Sequence, residues 1–227
     1  MRNAKTLALT YRTFGSPLDA LALERFRLLP LAEGKLRIAM MMAPVNPSDL
    51  IPITGAYAHR IQLPKTAGYE GVGRVVAAPE SHSHWIGERV LPLRGPGTWQ
   101  SHVDCDPGLA VRVPNSIANE VAARAYVNPL AVLQMLARWP VDGRRVLLSG
   151  AGSECASLLG YSARTRGAAE VVGIYRSASR ADRMRALGIV PVSEKDERRI
   201  LREAREADIV FDALGGPLAT LILANMR

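Results

Sequence analysis

The segment Ser149-Gly150-Ala151-Gly152-Ser153-Glu154-Cys155-Ala156 follows the apolar run Arg145-Val-Leu-Leu-Ser149 and precedes a helical pattern. Small residues in such a turn let a backbone approach a ligand, and the free N–H groups and dipole of the helix start favour a phosphate. Gly150 and Gly152 supply two glycines of a dinucleotide-binding loop; Cys155 stands where the usual spacing has a third, and Ala156 is the small residue nearest the sheet. A bare tight turn is the bland alternative. The next apolar run ends at Tyr175, followed by Arg176, Ser177, Arg180, Arg183 and Arg185, with no carboxylate at the strand end. A carboxylate there accepts from a ribose 2′-hydroxyl, whereas a cation pairs with a 2′-phosphate. Arg176, assisted by Ser177 and Arg180, is therefore expected to hold a 2′-phosphate, so NADPH is expected over NADH. An ordinary exposed helix face accounts for Arg183 and Arg185.

These residues can work only if the runs around them are strands and helices in alternation. From Asp142-Gly143 onward the pattern reads strand 145–149, helix 157–166, strand 170–175, helix 179–187, strand 189–193, the charged helix 194–206, strand 208–212 and a turn at Gly215-Gly216. Strands alternating with amphipathic helices specify a parallel sheet with right-handed crossovers, an α/β domain. The charge run 194–206 reads as the solvated face of one helix. Before residue 115, Pro and Gly break the chain into short strand-like pieces, among them 35–40, 71–77 and 88–92. A helical pattern starts after Asn115-Ser-Ile-Ala-Asn119 and, beyond Pro129, runs through Leu130, Leu133, Leu136 and Trp139. The boundary is placed there, giving a β-rich domain over 1–115 and the α/β domain over 116–227.

The 227 residues suit one large domain or two small ones, and 48% apolar with 22% charged residues is a globular mix, which excludes a disordered chain. No run approaches the roughly 18 apolar residues of a membrane-spanning helix, and the start Met-Arg-Asn-Ala-Lys5 lacks a secretion signal's apolar run. The expectation is a cytoplasmic protein with no membrane contact. Cys105 and Cys155 match no zinc clasp and make no disulfide framework. The net charge of +8 divides evenly, +4 in each half, and aromatics are only 5%, so a nucleic-acid partner is not expected.

At Val45-Asn-Pro-Ser-Asp-Leu50, Thr54-Gly-Ala-Tyr57, Gly68-Tyr-Glu-Gly-Val-Gly73 and Gly87-Glu-Arg-Val90, in this order and spacing, the sequence resembles the medium-chain dehydrogenase/reductase superfamily. The resemblance implies a GroES-like β-barrel catalytic domain followed by a Rossmann domain, with the active site in the cleft between them. Zinc-dependent members need Cys and His ligands, but here Tyr69 stands at the His of their Gly-His-Glu motif, and Asn46 lies in the segment that would supply a Cys. His82 and His84 form a pair with no matching third ligand and read as surface histidines. The resemblance is thus to the zinc-free branch of quinone oxidoreductases and 2-enoyl thioester reductases. Gly97-Thr-Trp-Gln100, Val127-Asn-Pro129 and Ser153 lean toward the thioester reductases, while Ala131 departs from their usual threonine.

Without a metal, negative charge developing on the substrate must meet a hydrogen-bond donor or proton, and a phenol can supply both. The resemblance makes Tyr57 that donor; its place after Gly55-Ala56 suits a phenol pointing into a cleft, with a surface tyrosine at the barrel lip as the alternative. Asn46 would orient the nicotinamide or substrate, or else stabilise its turn, and Glu70 is expected to tie the barrel together. The resemblance also assigns Asn128 and Gly215 to the cofactor.

Family members run on for about another hundred residues with two further strands, which would leave the edge Ile209-Val-Phe211 unpaired here and omit the strand through which relatives dimerise. A homodimer stays open. The leading expectation is an NADPH-dependent reductase of a small α,β-unsaturated thioester or enone. The alternatives are a quinone reductase and a non-catalytic dinucleotide-binding protein.

Overall fold

The computed structural model describes residues 5–94 and 97–226. The first four residues of the N-terminal start, and the final Arg227, lie outside the described residues. The chain forms two compact units, Met1–Val127 and Asn128–Arg227.

The first unit holds β1 (Lys5–Tyr11), α1 (Pro17–Ala20), β2 (Leu21–Arg27), β3 (Leu36–Met42), α2 (Pro47–Leu50), β4 (Lys65–Thr66), β5 (Val72–Ala77), β6 (Arg89–Pro92), β7 (His102–Cys105), β8 (Ala110–Arg112) and α3 (Asn119–Ala122). Its strands make two antiparallel sheets, in the orders β2-β1-β4 and β7-β3-β5-β6-β8. Leu36 and Ile38 of β3, Val75 of β5, Val90 of β6 and Cys105 of β7 point to one core, as side chains alternating across a pleat must. The three strand-like pieces noted in the sequence are β3, β5 and β6. The helical pattern expected after residue 115 shrinks to the single turn of α3 before α4 (Val127–Arg138).

The second unit continues with β9 (Arg145–Leu148), α5 (Glu154–Thr165), β10 (Glu170–Tyr175), α6 (Ala181–Ala186), β11 (Val190–Ser193), α7 (Glu197–Glu206), β12 (Ile209–Phe211) and α8 (Gly216–Leu223). All four strands are parallel, in the order β11-β10-β9-β12. This is the expected Rossmann-type alternation. The order reverses at β9, which makes its carboxyl end the topological switch point where such sheets bind ligands. Val146 and Leu148 of β9 pack with Leu159 and Ala163 of α5 on one face, while Leu147 packs with Ile200 and Ala204 of α7 and Ile222 of α8 on the other. Burial on both faces explains why these strands read as continuous apolar runs rather than alternating ones.

Helix ends differ from the apolar periodicity where polar caps set them. Helix α5 begins three residues early because the Ser153 hydroxyl accepts from Ala156 N at 3.2 Å. Helix α7 begins late, at Glu197, because Asp196 caps it through Arg199 N at 3.1 Å. Pro129 sits inside the first turn of α4, where its missing N–H has no intrahelical acceptor to lose. The charged run is not wholly solvated: Glu203 is buried and receives Arg202 at 2.9 Å and Arg145 of β9 at 3.4 Å. No helix among the described residues is long and apolar enough to cross a membrane.

Candidate functional site

In the second unit, the turn after β9 and the ends of β10 and β11 enclose a cavity of about 410 Å³ lined by Gly150, Gly152, Ser153, Ile174, Arg176, Ser177, Ser179, Arg180, Glu194 and Leu214. Gly150 has φ +56°, a left-handed conformation in which an L side chain is strained, and a Cβ there would also come within 3.2 Å of Leu214. Below the turn, Gly173 of β10 lets Ala151 settle onto the strand, since a Cβ on Gly173 would sit 2.7 Å from that of Ala151. The Ala151 N–H is fixed to Ile174 O at 2.9 Å, and its carbonyl accepts from the Ser157 hydroxyl at 3.1 Å. The backbone that faces the cavity is therefore anchored from beneath.

The arginines after β10 divide into two kinds. Arg183 holds Glu154 through two nitrogens, and Arg185 pairs with Asp182 at 2.6 Å. Arg176 and Arg180, both exposed and both lining the cavity, form no ion pair among the described residues. The Arg180 stem lies against Gly152: a Cβ on that glycine would meet Arg180 Cγ at 3.0 Å. Ser177 and Ser179 hydroxyls are 2.9 Å apart. A glycine-lined helix start beside two arginines that form no ion pair among the described residues fits a phosphorylated nucleotide, with Glu194 the one carboxylate on the lining.

Several other residues read as cofactor-binding lie outside the cavity lining. Ser149 is buried beneath it, its hydroxyl donating to Asp212 Oδ1 and accepting from Ala213 N at 2.8 Å. Ala151 and Ala156 are buried, and Cys155 packs at the edge of the core, where burial pushes its thiol up. Tyr175 also packs on the core, and its carbonyl accepts from Glu194 N at 2.9 Å. Gly215, at φ +66°, precedes α8 and donates its N–H to Asp212 Oδ2 at 2.7 Å. Asn128 lies in the first turn of α4. The sequence reading did not single out Ser179, Glu194 or Leu214. The rule that ligands sit beyond the carboxyl ends of parallel strands would have pointed to Glu194, which follows β11 directly.

In the first unit, a cavity of about 890 Å³ is lined by Tyr57, Arg60, Ile61, Gln62, Leu63, Pro64, Lys65, Thr66 and Tyr69. Tyr57 caps the short 3-10 turn Ala58–Arg60 and is 45% exposed, so its phenol is accessible rather than core. Tyr69 lines the same cavity; burial, then the charges of Asp49 and Tyr57, push the Tyr69 phenol above its usual 10, so it stays protonated. Asn46 does not line this cavity. It opens α2, its backbone N–H bound to Asp49 Oδ2 at 2.7 Å, and its Nδ2 donates to Glu70 Oε1 at 2.8 Å. Glu70, 1% exposed, also accepts from Val127 N at 2.8 Å and Tyr126 N at 3.2 Å. Asp49 accepts from Tyr69 N at 2.8 Å, which locks the Tyr69 backbone to α2. Trp99 gives its indole N–H to Pro44 O at 2.9 Å and packs in a small core with Tyr11 and Ile53. His82 and His84 lie on a 3-10 turn, ring centroids 6.2 Å apart.

The GroES-like domain of alcohol dehydrogenases matches residues 32–115. The mitochondrial enoyl-[acyl-carrier-protein] reductase of Arabidopsis thaliana is 30% identical over 234 residues, covering 97% of this chain and 62% of the relative. The human mitochondrial enoyl-[acyl-carrier-protein] reductase is 26% identical over 237 residues, covering 98% and 63%. A solved structure of a candidate NADPH:quinone reductase from Bacillus thuringiensis superposes with a TM-score of 0.89 at 32% identity, covering 99% of this chain and 70% of that one. The chain belongs to the medium-chain dehydrogenase/reductase superfamily, in its zinc-free branch. It spans a little over three fifths of the length of the enoyl reductases it matches.

Proposed function

We propose that this chain serves an NADPH-dependent, zinc-independent reductase of α,β-unsaturated (2-enoyl) thioesters or related enones. The observation that carries this reading is the cavity at the end of β9 and β10, lined by the Gly150–Ser153 turn, Glu194, and Arg176 and Arg180, which form no ion pair among the described residues. In this reading the turn and the first N–H groups of α5 bind the pyrophosphate. Arg176 holds the 2′-phosphate, and Ser177 and Arg180 assist it.

When bound, NADPH supplies a hydride to the β-carbon of the conjugated substrate. The chain's part is to meet the charge that then develops on the carbonyl oxygen and to deliver a proton to the α-carbon. Tyr57 fits both tasks: its phenol is exposed, lines a roomy cavity, and can donate a hydrogen bond first and a proton afterwards. Tyr69, kept protonated, is a second donor lining the same cavity. Asn46, tied to Glu70, shapes α2, whose Asp49 carboxylate holds the Tyr69 backbone.

The names of the enoyl-[acyl-carrier-protein] reductases support a thioester substrate, as do the Gly97-Thr-Trp99 and Val127-Asn-Pro129 segments. The second reading, an NADPH:quinone reductase, is favoured by the Bacillus thuringiensis likeness. A screen of NADPH oxidation across crotonyl thioesters, simple quinones and 2-alkenals separates them. Turnover on thioesters supports the proposal, turnover on quinones alone supports the second reading, and nucleotide binding without turnover on any points to a non-catalytic role. Fractionation decides between the cytoplasm expected from the sequence and the mitochondria of the named relatives.

A further inference from the structure

We infer that Glu194 selects the base of the bound dinucleotide, accepting a hydrogen bond from the 6-amino group of adenine and rejecting purines with a 6-oxo group; this rests on the NADPH reading above and extends it to the base. Glu194 is the one carboxylate on the lining of the nucleotide cavity. It is half-buried, and among the described residues its side chain takes part in no ion pair or hydrogen bond, although Arg176 and Arg180 line the same cavity. Glu154, Asp182 and Glu203 of the same unit, by contrast, each hold an arginine. Partial burial without a partner costs a carboxylate part of its hydration and returns nothing until a donor arrives.

The place of Glu194 is fixed by backbone. Strands β10 and β11 run parallel with Tyr175 opposite Ser193, so Arg176 and Glu194 are the first residues beyond the two strands, and the Glu194 N–H donates to Tyr175 O at 2.9 Å. In the spatial order β9, β10, β11 the strand ends therefore present the Gly150–Ser153 turn, then Arg176, then Glu194. Each step is one strand spacing, about 4.8 Å. The adenosine half of NADPH has its groups in the same order: pyrophosphate, ribose with its 2′-phosphate, base. With the first two held by the turn and Arg176, the outermost strand end is left to the base. The apolar members of the lining are Ile174 and Leu214, the latter 57% exposed, and they suit the faces of a purine. Its edge differs at position 6, where adenine carries an amine with two N–H donors and hypoxanthine or guanine a carbonyl that only accepts. A carboxylate supplies acceptors, so it completes a hydrogen bond with the amine and sets lone pairs against lone pairs with the carbonyl.

Calorimetry with NADPH and its hypoxanthine analogue, reduced nicotinamide hypoxanthine dinucleotide phosphate, tests the assignment without relying on turnover. The wild-type chain should bind NADPH about ten- to a hundredfold more tightly than the analogue. Glu194→Ala should bring the ratio toward parity by removing the acceptor. Glu194→Gln should do the same while costing NADPH less, since an amide can turn its oxygen to the amine or its N–H groups to the carbonyl. Arg176→Ala should weaken both nucleotides alike and keep the ratio. Equal affinities in the wild-type chain, a preference for the analogue, or a ratio that survives both Glu194 substitutions overturns the assignment; the last outcome would move Glu194 to a ribose hydroxyl or to the fold. Tighter NADPH binding in Glu194→Ala also overturns it, making the carboxylate a rival of the phosphates for the arginines. Failure to bind either nucleotide removes the NADPH reading and this inference together, whereas equal affinity for the two bases in a chain that prefers NADPH over NADH removes the inference alone.

Discussion

Arg183 grips Glu154 with two nitrogens, at 2.5 and 2.9 Å, and so ties α6 to the first turn of α5. Arg176 and Arg180, a few residues earlier, form no such ion pair among the described residues and line the cavity instead. Arg176→Ala is therefore expected to weaken NADPH binding by about ten- to a hundredfold with little effect on NADH. Arg183→Ala should alter the NADPH-to-NADH preference far less. Fluorescence titration with both nucleotides checks this, and equal affinities in the wild-type chain would remove the 2′-phosphate assignment.

Tyr57→Phe removes the O–H and keeps the ring that lines the cavity. Turnover on the best enoyl thioester should fall by roughly 10² to 10⁴, the usual range for losing a general acid, with nucleotide affinity retained. Unchanged turnover would transfer the role elsewhere, and Tyr69→Phe is then the first variant to assay.

Glu70 gathers the Asn46 side chain and two backbone N–H groups, at Tyr126 and Val127, onto one buried carboxylate. In Glu70→Gln one oxygen becomes a donor facing other donors, and the expected cost is about 1–3 kcal/mol of stability. Urea unfolding should show a lower midpoint with an unchanged slope. A midpoint equal to wild type would mean that these bonds add nothing to the fold.

The Cys105 thiol is pushed up to about 11, first by burial and then by the charge of Asp106. An unfolded cysteine ionises near 8.5, so the folded state resists ionisation and loses stability as pH climbs through the interval between these two values. Stability measured from pH 8 to 11 should fall less steeply in Cys105→Ala than in wild type. The native thiol should also react slowly with alkylating reagents at pH 8; rapid labelling without unfolding would contradict its burial.

Sequence patterning exposed the parallel sheet because Val146, Leu147 and Leu148 each meet a packed helix, which forces a solid apolar run flanked by turn formers. The glycine turn and Arg176 were legible for a related reason: their chemistry depends on position at a strand end, and strand ends can be read. The division of the arginines was not fully legible, since Arg183 is engaged by a glutamate 29 positions away that only folding brings near. Cys155 and Ser149 share the loop motif, yet helix geometry turns the first toward the core and strand geometry buries the second. Arg60 and Lys65 escaped notice because the turns that gather them around Tyr57 have no periodicity, and Asn46 gave no sign that Glu70 holds its amide.

Ser149 spends its hydroxyl on Asp212 and Ala213, and Asp212 in turn holds the N–H of Gly215. The backbone at the mouth of β9 is in this way stitched to the segment leaving β12, so neither can breathe alone. A nucleotide that stiffens the first should slow amide exchange in the second, making residues 213–215 a remote gauge of occupancy.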